Sequence, residues 1–334
     1  MAGRCVGGGR HTMWAIVAAL VGSVVVAGCG ASTAPRTAPK KLVPLNIALP
    51  SGVVGLPVIV GARLGIFRRA GLAVDLSYTT SGSVAVDALY AGTTDIAVTA
   101  ETPLIEAASK VKGVSIGIEQ IGNGTSGVVV AKGITSLSQL RGKAIASTVG
   151  SETNSLLIDA ILPRYGLQPG QYTLVNLPFT EMPAALAAHS IAAFAGNEPQ
   201  ISEAVAQGLG TELTTYRPYG YVPIFFLSTP AVLKAKRGAL YKFITAYNAV
   251  VRVFNKSRSE AVSAAYAFLR SQGDNVTRAM VGHIVAEMVV ASGYPSDLAA
   301  HLQRNAGALL ASGKIAAIPQ WSKVLLTPAE IERG

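Results

Sequence analysis

The chain has 334 residues, half of them hydrophobic and only 14% charged. That length suits two lobes better than one core, and that composition excludes wholesale disorder. The formal net charge of +10 raises nucleic acid as a partner. However, the basic residues are scattered, with only a mild concentration over 234–278, and no aromatic–basic alternation, helix-turn-helix pattern or CxxC pair accompanies them. They read as a solvated helix face near anionic lipid, so no nucleic-acid partner is expected.

Arg4, Arg10 and His11 precede the apolar run MWAIVAALVGSVVVAGC, Met13 to Cys29. A positive segment followed by an apolar stretch is the pattern of a secretory signal peptide, and the run is short of the ~20 residues a spanning helix needs. Its closing tetrapeptide, Val26-Ala27-Gly28-Cys29, resembles the lipobox of bacterial lipoproteins. That resemblance implies that residues 1–28 are a signal peptide and that Cys29 carries lipid. Met13 is an alternative start to Met1. The only other cysteine, Cys5, falls in the removed segment, so no disulfide and no cysteine nucleophile is expected in the mature chain. Residues 29–44 are small, polar and Pro-rich, and read as a flexible tether behind the lipidated cysteine. The protein is therefore expected outside the cytoplasm, anchored to the cell membrane without spanning it.

From Leu45 the pattern alternates strand and helix. LNIALPS, AVDLSYT, DIAVTA and VSIGIEQI read as strands. LPVIVGARLG, SVAVDALYAG and PLIEAASKV read as the helices between them. The alternation restarts after Gly124 with VVVAK, a helix at SLSQL and KAIAST, then a long helix over about 153–165. YTLVNL, the helix TEMPAALAAH, IAAFAG and the helix PQISEAVAQG follow. The connection TTYRPYGYVP leads to the strand IFFLS. Beyond it only long helices are expected, over about 240–255, 259–271, 276–291 and 296–312. Such alternation predicts an α/β fold of mixed, mostly parallel sheets with flanking helices. Residues 45–124 with 222–334 are expected to form lobe 1 and residues 125–221 an inserted lobe 2. Ligands of such sheets bind beyond the carboxyl ends of the strands, here the cleft between lobes.

Small hydroxyl residues follow the strands just where helices begin: Ser81-Gly82-Ser83, then Thr99 to Thr102, then Ser151-Glu152-Thr153. Each loop alone is well explained as an N-cap. Three of them turned toward one cleft also fit a ligand site, because helix N-termini offer unpaired N–H groups and about half a positive charge.

The segments GARLGIFRRAGLAVDL, SGSVAVDALYAGTTDIAVTAETP, ITSLSQLRGKAIASTVGSETNSLLIDAIL and IAAFAGNEPQISEA, in that order, resemble the nitrate/sulfonate/taurine-type substrate-binding proteins of bacterial ABC importers. The resemblance spans about Leu45 to Lys256. It implies the two-lobed periplasmic-binding-protein fold (type II), a small-molecule ligand, an ABC permease as partner and a monomer. It further implies ligand contacts from Ser81, Gly82, Ser83, Thr99, Glu101, Thr102, Ser151, Glu152, Thr153, Asn197 and Glu198. The sequence departs from the family where Ala192 replaces a frequent aspartate and Asn197 a frequent aromatic residue. The implied solute is small and polar or anionic, resembling a sulfonate, taurine or nitrate, or is an N–H-rich heterocycle. Glu101 and Glu198 would repel an anion and attract N–H groups, or they serve only as rim or helix-terminus charges. Tyr216, Tyr219 and Tyr221 are read either as a flat wall or as hinge packing. A carbohydrate is disfavoured, because Trp321 is the only tryptophan beyond the signal.

No cofactor or metal is expected, since His189, His283 and His301 stand apart without ligand spacing. GTSG at Gly124 is not a nucleophile elbow, and no phosphate-binding glycine loop occurs. An enzyme of the same fold and a non-transport structural or signalling lipoprotein stay as alternatives.

Overall fold

The computed structural model describes residues 41–50, 52–110, 112–122 and 124–333. The signal peptide, Cys29 and most of the tether lie outside the described residues. Two of the tether's last residues, Val43 and Pro44, already belong to the first strand.

Eleven strands are described: β1 (Val43–Pro50), β2 (Leu72–Thr79), β3 (Ile96–Thr99), β4 (Val114–Gly122), β5 (Ser126–Ala131), β6 (Ala144–Ser147), β7 (Thr173–Asn176), β8 (Ala193–Asn197), β9 (Gly210–Thr215), β10 (Val222–Ser228) and β11 (Val289–Val290). They form a six-stranded sheet in the order β11-β4-β10-β3-β1-β2 and a five-stranded sheet in the order β7-β6-β8-β5-β9. Both sheets are mixed. In the larger, β1 pairs parallel with β2 and β3, while β10 runs antiparallel to β3 and β4. In the smaller, β6 pairs parallel with β7 and β8, while β5 opposes β8 and β9. The reversed strands, β5 and β10, are the first after each passage from one sheet to the other. Elsewhere the strands point mostly one way, which brings the loops at their carboxyl ends to a common seam.

Burial explains the strand sequences. β3 (IAVT) and β10 (VPIFFLS) are buried along their whole length and read as continuous apolar runs. The edge strand β2 alternates, as a half-covered strand does. The helix Pro230–Lys256 lies against the larger sheet and is capped by Thr229, whose hydroxyl accepts from the Val232 N–H. Phe243 and Tyr247 of that helix meet Phe226 of β10 edge-on at 5.0 and 4.9 Å between ring centres, and Phe67 stacks on Phe243 at 5.0 Å. Inside this core lies Glu119, fully buried, with Oε1 accepting from the Val58 N–H at 3.3 Å. Loss of water pushes its carboxyl well above the usual range.

Three expectations are corrected. The long helix over 153–165 is interrupted. Glu152–Leu156 is α-helical, Leu157–Ile161 forms a π turn, and Leu162–Arg164 closes the segment. Pro163 lacks the N–H that a continuous helix would need there. An unexpected strand, β9, Thr-rich and paired only with β5, lies between the helix PQISEAVAQG and the connection, and its last two residues, Thr214 and Thr215, were read as the start of that connection. The C-terminal helices are not free of strand, since β11 adds to β4 after the helix Arg278–Glu287. Among the described residues no helix is long and apolar enough to cross a membrane.

Candidate functional site

A cavity of about 750 Å³ opens at the seam between the two sheets and takes lining from both. Its size is that of a small-molecule site. Of the residues expected there, Ser81, Gly82, Ser83 and Thr99 of the larger sheet's loops are on the wall. So are Ser151, Glu152, Thr153, Asn197 and Glu198 of the smaller sheet's loops. Glu101 and Thr102 are not on the wall.

Local chemistry sets each group. Ser81 leaves β2 with extended backbone, and its hydroxyl accepts from Val84 N–H at 3.3 Å, starting the helix Gly82–Tyr90. A side chain at position 82 would put its Cβ 2.5 Å from Thr99 Oγ1, so glycine is what lets the helix approach β3. Thr99 itself is fully buried, and its Oγ1 has no hydrogen-bond partner. On the opposite side, Ser151 Oγ accepts from Asn154 N–H at 3.1 Å and donates to the Thr148 carbonyl at 2.6 Å. Asn197 Oδ1 accepts from Ser126 Oγ at 2.7 Å and Thr153 Oγ1 at 3.2 Å. Both oxygens of Glu198 accept from Ser202, Oε2 from its N–H at 3.0 Å and Oε1 from its hydroxyl at 2.9 Å. Ser81 and Ser151 are thus N-caps whose residues also line the cavity.

Glu101 and Thr102 point to the seam beside the cavity. Thr102 Oγ1 donates to Glu152 Oε2 at 2.8 Å. Glu101 Oε2 lies 2.5 Å from His301 Nε2, and its Oε1 accepts from Asn305 Nδ2 at 2.7 Å. Glu152 is pushed up to about 8, first by loss of water and then by the Glu101 carboxylate beside it. Desolvation likewise raises Glu198, and it pushes Asp274 up to about 6 with help from Glu203. His301, read from sequence as solitary, therefore belongs to a polar cluster. Its ring stacks on Tyr221 at 4.4 Å, and Tyr221 donates to Asp297 Oδ1 at 3.1 Å. The His301–Asn305 spacing on one helix face was the available signal. Tyr216 is buried on the cavity wall and donates to the Thr153 carbonyl at 2.8 Å, while Tyr219 meets the Tyr165 hydroxyl at 3.1 Å.

Sequence reasoning missed several wall residues: Gln120, Thr125, Ser126, Asn176, Gln272 and Asp274. Gln120 and Asn176 lie in β4 and β7, Thr125 and Ser126 at the start of β5, and Gln272 and Asp274 just past a helix end, and none carries a local pattern that marks it. Two further contacts bridge the sheets' elements at the rim. Asn275 N–H donates to Glu203 Oε1 at 2.7 Å, and Arg217 pairs with Glu287. Among the described residues no group of three or more His, Cys, Asp or Glu is gathered as a metal site would need.

A family model described as NMT1/THI5 like matches residues 54–256. No curated protein matches the chain significantly. Solved structures do. The alkanesulfonate-binding protein SsuA from Xanthomonas axonopodis pv. citri, bound to MOPS, superposes with a TM-score of 0.73 at 18% identity, covering 86% of this chain and 99% of that one. The periplasmic nitrate-binding protein NrtA from Synechocystis PCC 6803 gives 0.68 at 14% identity, covering 88% of each chain. A cysteine-to-serine mutant of DSZB in complex with biphenyl-2-sulfinic acid gives 0.63 at 15% identity, covering 87% and 99%. These similarities place the chain in the periplasmic-binding-protein fold.

Proposed function

From the premise that the chain belongs to the NMT1/THI5-like family, we propose that it is the solute-binding protein of an ABC importer. It captures a small polar solute in the cleft and presents the closed form to a membrane permease. The observation that carries this reading is the cavity of about 750 Å³ lined by hydroxyl, amide and carboxyl groups from both sheets. A solute touching both walls stabilises the closed arrangement by its differential affinity for closed over open forms.

The finer parts belong to the same reading. Residues 45–124 with 222–334 act as one lobe, and residues 125–221 as the inserted one. The passages near 124–125 and 216–221 serve as hinges. Lipid on Cys29 holds the protein near its permease outside the cytoplasm. Ser81, Gly82, Ser83, Thr99, Ser151, Glu152, Thr153, Asn197 and Glu198 contact the solute. Thr102 acts one step back by its hydrogen bond to Glu152, and Glu101 by its negative charge beside it.

An enzyme on this fold is the second reading, favoured by the similarity to the DSZB mutant. A cysteine mechanism has little to draw on, since cysteine occurs only at positions 5 and 29. The deciding experiment is a melting-temperature screen of the detergent-solubilised protein against small anions, amines, amino acids and sugars. A solute at 100 times its dissociation constant adds ~2.7 kcal/mol, which is easily read. Stabilisation by a solute that is recovered unchanged supports binding without turnover, whereas chemical conversion of the solute would move the assignment to an enzyme. Loss of membrane association in Cys29→Ser tests the anchor.

A further inference from the structure

The charge of the cavity wall runs against the charge of the chain. The chain carries 28 Lys and Arg against 18 Asp and Glu. Yet among the described residues that line the cavity there is no Lys, Arg or His, while Glu152, Glu198 and Asp274 all lie on it. An anion entering this space would lose its water, find no opposite charge, and face up to three carboxyl groups. A protonated nitrogen would find the reverse.

The two capped helix starts offer an anion fewer donors than bare ones would. Ser81 and Ser151 occupy Val84 N–H and Asn154 N–H, one of the free donors at each start. The helix beginning at Glu152 also carries its own carboxyl in the first turn. A second observation points to a ligand bonded on this wall, and a hydroxyl there serves an N–H donor as readily as an acceptor. Thr99 Oγ1 is fully buried on the cavity wall and unpartnered, which a native interior rarely tolerates unless something bonds there. Its oxygen can accept an N–H.

We propose that the cleft recognises a protonated nitrogen. Its solute is a small organic molecule with a cationic, N–H-bearing end, such as an amine, amidine or guanidine, and molecules of similar size with only a sulfonate, nitrate or carboxylate are rejected. This rests on the solute-binding reading above and narrows its ligand. The carboxyls supply the selectivity and report on it. Glu198 faces Ser202, His283, Glu203 and Glu212; Glu152 faces Glu101, Thr102, Asp159 and Tyr216; Asp274 faces Glu203. Half of these neighbours are acidic, and desolvation holds all three wall carboxyls above their usual range. A bound cation drives them to ionise, so binding releases protons and tightens as pH rises from roughly 5 to 8.

The test uses the detergent-solubilised full chain and matched pairs that differ in a nitrogen: taurine against ethanesulfonate, β-alanine against propionate, benzamidine against benzoate. Calorimetry in two buffers of different ionisation enthalpy reads both affinity and protons released. The nitrogen-bearing member of at least one pair should bind at least tenfold tighter, with net proton release near neutral pH. Glu198→Gln and Glu152→Gln, close in shape to the originals, should each lose roughly tenfold or more for that member and reduce the proton release. If the nitrogen-free members bind as well or better, the inference falls alone and the solute-binding reading stands. If no member of any pair binds or raises the melting temperature, both fall together.

Discussion

Thr102 Oγ1 donates a hydrogen bond of 2.8 Å to Glu152 Oε2, joining the helix that follows β3 to the helix that follows β6. One partner stands on the larger sheet and the other on the smaller. The bond therefore exists only while the two sheets are held together over the cavity. Thr102→Val keeps the shape and removes the donor. A hydrogen bond of this kind contributes about 1 kcal/mol, which for a chain of this size lowers the melting temperature by roughly 2–3 °C. Because the loss falls on the closed form, solute affinity should drop about fivefold, read by calorimetry. A variant that melts lower but binds unchanged would mean that the bond supports the fold and not closure.

Glu152 also sets a pH dependence. Its folded-state value of about 8 lies far above that of an exposed glutamate, so the folded chain holds a proton that the unfolded chain has released. Its contribution to stability is complete below about pH 4.5 and is lost as pH rises through about 8. Asp274 and Glu212, each at about 6 and each raised first by burial, act with the same sign over a lower window. The unliganded protein should therefore melt progressively lower between roughly pH 5 and 9. Glu152→Gln keeps an acceptor for Thr102 and should flatten the upper half of that profile. An unchanged slope in the variant would assign the effect to other groups.

How much of this was legible beforehand depends on the range of the interaction. β3 and β10 announce themselves as apolar runs because both faces are covered, and Ser81 and Ser151 sit at capping positions that any helix start favours. These are local signals. β9 was not legible, because its sequence GTELTT has too little apolar alternation to stand out and it is held by β5 alone. Glu101 is the instructive case. Its position after β3 made it a candidate wall residue, but His301, 200 residues later, draws its carboxylate to the seam. No local pattern encodes a partner at that distance. Asp274 and Gln272 reach the wall from the end of a helix in the C-terminal region, for the same reason.

Glu119 offers a test of the core, independent of any ligand. Its carboxyl is fully buried, Oε1 takes the Val58 N–H and Oε2 has no partner. Burial drives its pKa well up, and ionisation would leave a buried charge without a cation. Glu119→Gln retains the acceptor and cannot ionise, so it should unfold in urea within about 1 kcal/mol of the parent near pH 7. At alkaline pH the variant should be the more stable of the two. Glu119→Ala abandons the Val58 N–H and opens a cavity, costing about 2–4 kcal/mol at either pH. A Gln variant as damaged as the Ala variant would show that the ionised form is needed after all.

Gly82 and Thr99 should prove coupled. A methyl group at position 82 falls 2.5 Å from Thr99 Oγ1 and 3.1 Å from Thr99 Cα, closer than atoms in a packed wall can stand. Gly82→Ala must therefore push the helix Gly82–Tyr90 away from β3, at about 1–3 kcal/mol, and shift the Ser81–Ser83 loop out of the cavity wall. Thr99→Ala alone removes a buried hydroxyl that no protein group satisfies, so its effect on the stability of the unliganded protein should be small. In the double variant the worst clash is gone, leaving the milder approaches to Cα and Cβ of residue 99. The cost should then be less than the sum of the two single changes by about 1 kcal/mol in a denaturation cycle. Binding should respond differently. If Thr99 Oγ1 bonds the solute, the double variant regains stability without regaining affinity. If affinity returns with stability, the hydroxyl is only a space-filling part of the wall.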